Sequence, residues 1–458
     1  MPEVIFGASA YRRDYGNFPE FKLVNMFLEQ TATAKGGVSL LSFPGLATFS
    51  TVGSGPINGM FQRSGSFGGS LFTVSGSELY KDSTLLGTIN GTGPVSWAVS
   101  DTELVVTRGQ SAYSYNGTNL AAISFPDGAN VTAVTFIGGL FVFARAGSHK
   151  FYWSAVLNAR SVDPLDFASA ESSPDKLRDV VAINDNIFLM GEDSIEVWYI
   201  TGELALPFSR ISQRTVHIGV IATDCALELD NALHFIGSDA VIYRFGDVPE
   251  RISDNGIEER LWQSNSYRCF SYKFEGHSFL CIRLSQGTWC YDAATQSWHE
   301  RQTWGLTNWD ANCAADLDDG PYFGSAVGGH VLRFGGWAEG ASPLVRRFTA
   351  AFPIEGGVAP VDLLEVEANT GSASDYVDAD DDSKPKLEMA FSRDGGDTWS
   401  DWRAASLGTQ GKYRKRARFR RLGYFDAPGA LFDFRMTEAA SFRVSAVIIN
   451  ESAAGRSR

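Results

Sequence analysis

No apolar run in this 458-residue chain approaches the roughly 20 residues needed to span a bilayer. The opening Met1-Pro2-Glu3-Val4 has neither the basic nor the apolar region of a secretion signal, so the expectation is a protein made and used in the cytosol unless another assembly carries it out. Cysteine is scarce and odd in number: Cys225, Cys269, Cys281, Cys290 and Cys313 form no CxxC pair, which argues against a zinc knuckle or a disulfide framework and leaves reduced, buried thiols as the expectation. The six histidines (His149, His217, His234, His277, His299, His330) stand singly, with no HExxH. P-loop, GxSxG and dinucleotide fingerprints are missing too, so no catalytic residue, cofactor or metal is expected. Sequence leaves a glycosidase carboxylate pair open, because such a pair is defined by separation in space. Helical periodicity is also rare, the one clear stretch being Ile257 to Gln263 behind the potential caps Ser253, Asp254 and Asn255.

What the chain does hold is 47 glycines, 32 phenylalanines and 11 tryptophans among many short alternating segments, the composition of an all-β protein. Sets of three or four such segments recur about every 40 to 45 residues. Val131 to Ile137, Leu140 to Ala144 and Phe151 to Ser154, turning on Gly138-Gly139, form one; Val180 to Ile183, Ile187 to Met190 and Ile195 to Tyr199 form the next. That spacing fits a β-propeller, whose blades bury both faces against neighbours, with six blades, or seven if Gly59 to Gln62 and Leu71 to Tyr80 make another. The organisation expected is an extended N-terminal arm at 1–50, a propeller at 51–340, a small β-sandwich at 341–450 and a tail at 451–458.

Three local features carry candidate chemistry. Ser392-Arg393-Asp394-Gly395-Gly396-Asp397-Thr398-Trp399 matches the Asp box, S-x-D-x-G-x-T-W, in which Ser392, Asp394, Gly396, Thr398 and Trp399 build a hairpin turn whose carboxylate accepts backbone N–H bonds over a packed Trp. The basic run Lys412, Arg414, Lys415, Arg416, Arg418, Arg420 and Arg421 stands out in a chain of net charge −14. As a strand it would place Lys412, Arg414, Arg416, Arg418 and Arg420 on one face, a cationic stripe about 30 Å long. That stripe would suit a subunit or partner contact, a solvated edge that resists strand pairing, or the phosphates of DNA. The acidic group Asp375, Asp378, Asp380, Asp381 and Asp382 lacks the spacing of a calcium loop and reads as a solvated loop, and as a partner for the basic stripe of another copy.

Ser194-Ile195-Glu196-Val197-Trp198, Pro207-Phe208 with Arg210-Ile211, Arg251-Ile252-Ser253, Ile257-Glu258, Glu275-Gly276-His277 and Trp298-His299-Glu300-Arg301 resemble, in this order, the tail hub or nozzle proteins of short-tailed bacteriophages, the packaged-DNA-stabilisation family. Asn25 to Glu29, Pro44-Gly45-Leu46, Ser392 to Trp399 and Arg420-Arg421-Leu422-Gly423 extend the likeness, while His217 to Ala222 lacks a Gly-Cys step expected in relatives. The resemblance implies a virion protein without enzymatic activity, made in the host bacterial cytoplasm. It also implies a propeller assembled as a homohexameric ring beneath portal and adaptor, retaining packaged double-stranded DNA without sequence preference and meeting tail fibres, tailspikes or a needle. In such a channel an acidic or neutral lumen would let DNA leave, and the 412–421 stripe would face protein. The alternative reading is a carbohydrate-binding or sialidase-like propeller.

Overall fold

A computed structural model describes residues 5–6, 9–12, 18, 20–30, 37–170, 175–203, 206–371 and 385–451. Seven antiparallel blades of four strands follow one another among these residues, six of them separate sheets and one, blade 6, part of a larger sheet. Blade 1 runs from Ile57 to Thr88, blade 2 from Val95 to Ala122, blade 3 from Val131 to Ser169, blade 4 from Leu177 to Arg210, blade 5 from Ala226 to Arg251 and blade 6 from Tyr267 to Arg301. The first strand of each blade lies innermost, packed on the first strands of its neighbours. Blade 7 takes three strands from Ala311–Leu317, Gly320–Ser325 and His330–Phe334, and its fourth from the other end of the propeller sequence, Leu46–Thr51, which pairs Leu46 with Phe334 and Thr48 with Leu332. The expected boundary at residue 51 is therefore corrected: 46–51 closes the ring. Closure by a distant segment ties the last blade to the start of the ring and leaves free only the short outer edge of a blade.

The arm is likewise not a separate piece. Leu23–Val24 pairs in parallel with blade 6 at Glu300 and antiparallel with Arg346–Pro353, so blade 6 and one sandwich sheet form a single ten-stranded sheet. Met26–Gln30 and Val38–Ser42 enter the other sandwich sheet, ordered Ala417–Phe425, Ala359–Ala368, Arg443–Glu451, Val38–Ser42, Met26–Gln30. Leu23, Val24, Met26, Phe27 and Leu28 are all buried, as a strand pair covered on both faces requires. Asn25 turns the chain from one sheet to the other in a left-handed conformation (φ 54°) that Asn tolerates better than most residues. Its amide donates to the carbonyls of Gln302 and Val345, each at 2.9 Å, and so ties the ends of both domains to the arm.

The helix Asn255–Gln263 lies between blades 5 and 6, and Asp254 caps it by accepting from the N–H groups of Gly256 and Ile257. Cys281 and Cys290 correct the expectation of reduced thiols. They sit directly opposite on adjacent strands of blade 6, Cα to Cα 4.2 Å, and are joined as a disulfide, while Cys225, Cys269 and Cys313 are free and buried.

A second tie between arm and propeller is ionic. His277 of blade 6 places Nδ1 2.8 Å from Asp292 and Nε2 2.8 Å from Glu29 of the arm strand. Burial alone would lower its pKa, but the two carboxylates outweigh it and hold the imidazolium above its ordinary value. A raised folded pKa stabilises fully below the unfolded value of about 6.5 and is lost as pH rises through the folded value. The stability gap between the native chain and His277→Gln is accordingly expected to narrow as pH is raised from about 6 to about 9. Thermal melts across that range test this, and a gap that stays constant would rule out the ionic clamp.

Candidate functional site

The propeller's central cavity, about 620 Å³, is walled by inner strands of several blades. Among the described residues its lining includes the carboxylates Asp179, Asp224 and Glu228 but no Arg, Tyr or His. Asp179 accepts from the backbone N–H groups of Val180 (2.9 Å) and Asp224 (3.2 Å). Burial, with the mutual repulsion added for Asp179, pushes both acids up to about 7. Arg268 of blade 6 lies behind this pair, its Nε 3.5 Å from Asp224 and its Nη2 bonded to the carbonyl of Asn58 in blade 1. The arrangement ties three blades across the channel. It offers no nucleophile with a base beside it, and no group of three metal-ligating side chains occurs among the described residues.

The Asp box forms the hairpin after strand Lys386–Ser392 in the sandwich. The Ser392 hydroxyl donates to Asp394 at 2.6 Å, and Thr398 donates to it through its hydroxyl (2.5 Å) and its N–H (2.9 Å), holding the carboxyl well below the usual range. Gly396 takes φ 120° and accepts the Trp399 indole N–H at 2.9 Å. Trp399 does not pack beneath the turn as expected; it is 38% exposed, with the Lys22 ammonium 5.6 Å from its ring. The hydrogen bonds of Ser392, Asp394, Gly396, Thr398 and Trp399 stay within the hairpin, while Arg393 between them donates to the carbonyls of Leu422 and Tyr424, so the chemistry of the box is that of a turn and its packing.

The basic run departs most from its expected form. Only Ala417–Phe425 is a strand, and Lys412 to Lys415 form turns, with N–H groups of Lys412 and Lys415 donating to the carbonyls of Thr409 and Lys412. The ten-residue stripe is not formed. On the strand, Arg418 and Arg420 are exposed between buried Ala417, Phe419 and Leu422, and a left-handed Arg421 (φ 57°) breaks the alternation. Glu365 accepts from Arg416 (3.2 Å) and Arg418 (2.6 Å), and Lys415 donates to Ser406. Arg414, Arg420 and Arg421 project into solvent. The acidic group at 375–382 lies outside the described residues.

Charge is segregated in a way that the net value conceals. Residues 46–340 hold 32 acidic against 18 basic side chains, while the rest of the chain is balanced, so the propeller carries the whole −14. Between Asp401 and Asp426, by contrast, eight basic residues occur and no acidic one. Sequence reasoning could have found this asymmetry by counting each domain by itself.

A family model described as Bacteriophage P22 Gp10, beta-propeller, matches residues 3–316, and a second, Bacteriophage P22 Gp10, beta-sandwich, matches residues 345–451. The tail hub protein gp10 of Salmonella phage P22 is 23% identical over 249 residues, 49% of this chain and 53% of the relative, so the match spans about half the relative's length. Among solved structures, BBS1N in complex with ARL6DN aligns at a TM-score of 0.43 and 8% identity over 65% of this chain and 98% of that one. The extracellular domain of the one-component system BT4673 from B. thetaiotaomicron aligns at 0.44 and 12% identity over 84% of this chain and 55% of that one. With a seven-bladed propeller, a sandwich joined to it by the N-terminal segment, and the two models falling on those two parts in order, the chain belongs to the bacteriophage P22 Gp10 family.

Proposed function

We propose that this chain is a structural virion protein, the hub of a short phage tail, which assembles as a hexameric ring below the portal and adaptor and extends the DNA channel. The observation that carries the reading is the match of both domains, in order, to the P22 Gp10 family. In this role the chain retains packaged double-stranded DNA without sequence preference, offers attachment surface to fibres, spikes or a needle, is made in the host cytoplasm and acts in the virion. Its work is mechanical and electrostatic, with no catalysis. A propeller of net −14 repels phosphates, which suits a passage that DNA must leave. The sialidase-like alternative needs an arginine cluster and a tyrosine at the cavity, and the cavity's described lining has neither.

Adaptor-bearing heads that lack a hub test the proposal. Native mass spectrometry is expected to record six added copies per head and retention of the packaged genome. Heads that bind none, or a chain that turns over a fluorogenic sugar panel, would overturn it.

A further inference from the structure

Both sandwich sheets begin, on the propeller side, with a strand of the arm and end with a strand of the basic segment: Leu23–Val24 to Arg403–Ser406 in one, Met26–Gln30 to Ala417–Phe425 in the other. In the ten-stranded sheet, five strand spacings separate blade 6 from Arg403–Ser406. At about 4.8 Å each, the basic edge stands about 24 Å from its own propeller. It cannot fold back onto the acidic blades of the same molecule. Tyr413 and Tyr424 on this edge are each 70% exposed. Tyrosine and arginine together, at an unpaired sheet edge, are the composition of an interface centre.

A complementary surface exists on blades 3 and 4. The loop after the third strand of blade 3 exposes Val156, Leu157 and Leu165, the last at 83%, and the corresponding loop of blade 4 exposes Leu206. These loops are contiguous with the Gly138-Gly139 turn: Leu157 donates its N–H to the Gly139 carbonyl at 2.8 Å, and a side chain on Gly138 would run into Ile200. The lack of side chains at this turn leaves the ground flat. Exposed Asp163, Asp185 and Glu203 rim the patch.

We propose that the basic, tyrosine-bearing sandwich edge of one copy docks on this acid-rimmed apolar patch of the next. The two surfaces are opposite in charge and each has apolar anchors. Edge against edge would oppose like charges, so the contact is heterologous and repeats from copy to copy, closing a ring where the rotation permits. DNA would satisfy the arginines but not the leucine and valine patch, and the acidic propeller repels it. The inference deepens the tail-hub reading, since a hub of several copies needs such a contact.

The full-length chain, examined by sedimentation velocity at about 50 mM and about 500 mM salt, is expected to self-associate and to do so less at high salt. Arg414→Glu/Arg420→Glu/Arg421→Glu should weaken association at least tenfold, and so should Asp163→Lys/Asp185→Lys/Glu203→Lys. Mixing the two triple variants should restore it, because each then offers the other one native and one charge-reversed contact, a result that misfolded variants cannot give. A wild-type chain that stays single at low salt overturns the proposal, as does either triple variant that associates normally. So does an arginine variant that assembles normally and loses only binding to a double-stranded DNA fragment. Restored assembly by chains that hub-less heads refuse would instead remove the tail-hub reading and leave this interface standing.

Discussion

Phe43→Ala is expected to lower the unfolding free energy by about 3–5 kcal/mol. Phe43 is fully buried where arm, blade 6 and blade 7 meet. Its ring lies 4.6 Å from that of Phe27, 5.3 Å from Phe279 and 6.1 Å from Phe334. Arg301, itself buried, stacks its guanidinium 3.9 Å from the Phe43 ring and 4.3 Å from that of Trp309. Nε and Nη1 of Arg301 have no hydrogen-bond partner among the described residues, so these π faces do part of the work that water does elsewhere, and burial pulls its pKa down to about 10. Alanine would open a cavity and strip one face from a buried cation, which places the loss at the upper end of the range. Phe43→Leu keeps most of the volume and removes the π face, so it should cost less, and adding Arg301→Met to it should cost less than the two changes summed. Urea titrations of the wild type, Phe43→Ala, Phe43→Leu, Arg301→Met and the double variant measure this. A loss under about 1 kcal/mol for Phe43→Ala would show that the junction does not depend on the ring.

The same junction marks the limit of what could be read from the sequence. Blade strands such as Val131–Ile137 and Leu140–Arg145 are legible because alternation and a Gly-Gly turn are local signals. Leu46–Thr51 carries a weaker pattern, with Leu46 buried but Phe49 about half exposed, and its strand partner lies almost 300 residues on. Nothing within the segment says that it belongs to the last blade. Leu23 to Glu29 reads as a strand-like patch, but nothing in it says that Leu23–Val24 pairs with Glu300 on one side and Arg347 on the other. The Cys281–Cys290 bridge depends on a cross-strand register that residue spacing alone does not fix. The basic run misled for a different reason: alternation of Arg with apolar residues holds from Ala417, but Gly408 and Gly411, both left-handed, turn the chain before it, and the bulge at Arg421 ends the alternation after it. The Asp box was legible as a turn because the partners of its carboxylate lie within eight residues, although two of the three donors are the hydroxyls of Ser392 and Thr398 where backbone N–H groups were expected.

Asp433→Ala should be nearly as damaging as loss of Phe43, and more local in its consequence. The carboxylate is 1% exposed, in the strand Gly429–Met436 of the ten-stranded sheet. It accepts from Arg347 through Nε at 2.8 Å and Nη2 at 2.5 Å, and from Lys22 at 3.2 Å. Removing one partner of an enclosed ion pair costs about 3–5 kcal/mol. Arg347 is a third exposed, so water screens part of that loss and about 2–4 kcal/mol is the better expectation. The position of Lys22 gives the break its direction. Lys22 exchanges hydrogen bonds with Thr349, its N–H donating to the Thr349 side-chain Oγ1 at 3.1 Å and its carbonyl accepting the Thr349 N–H at 2.9 Å, directly before the strand that bridges blade 6 to the sandwich. Without Asp433, Lys22 and Arg347 lose the acid that joins them across that bridge, and Lys22 keeps Glu20 at 3.3 Å. Amide exchange at Leu23, Val24 and Phe348 should therefore rise well before exchange in blades 1 to 5, and Asp433→Asn, which keeps one acceptor, should fall between the two. Uniform acceleration across the whole propeller would show instead that the arm and sandwich unfold only together with the blades, and the whole molecule would then be the cooperative unit.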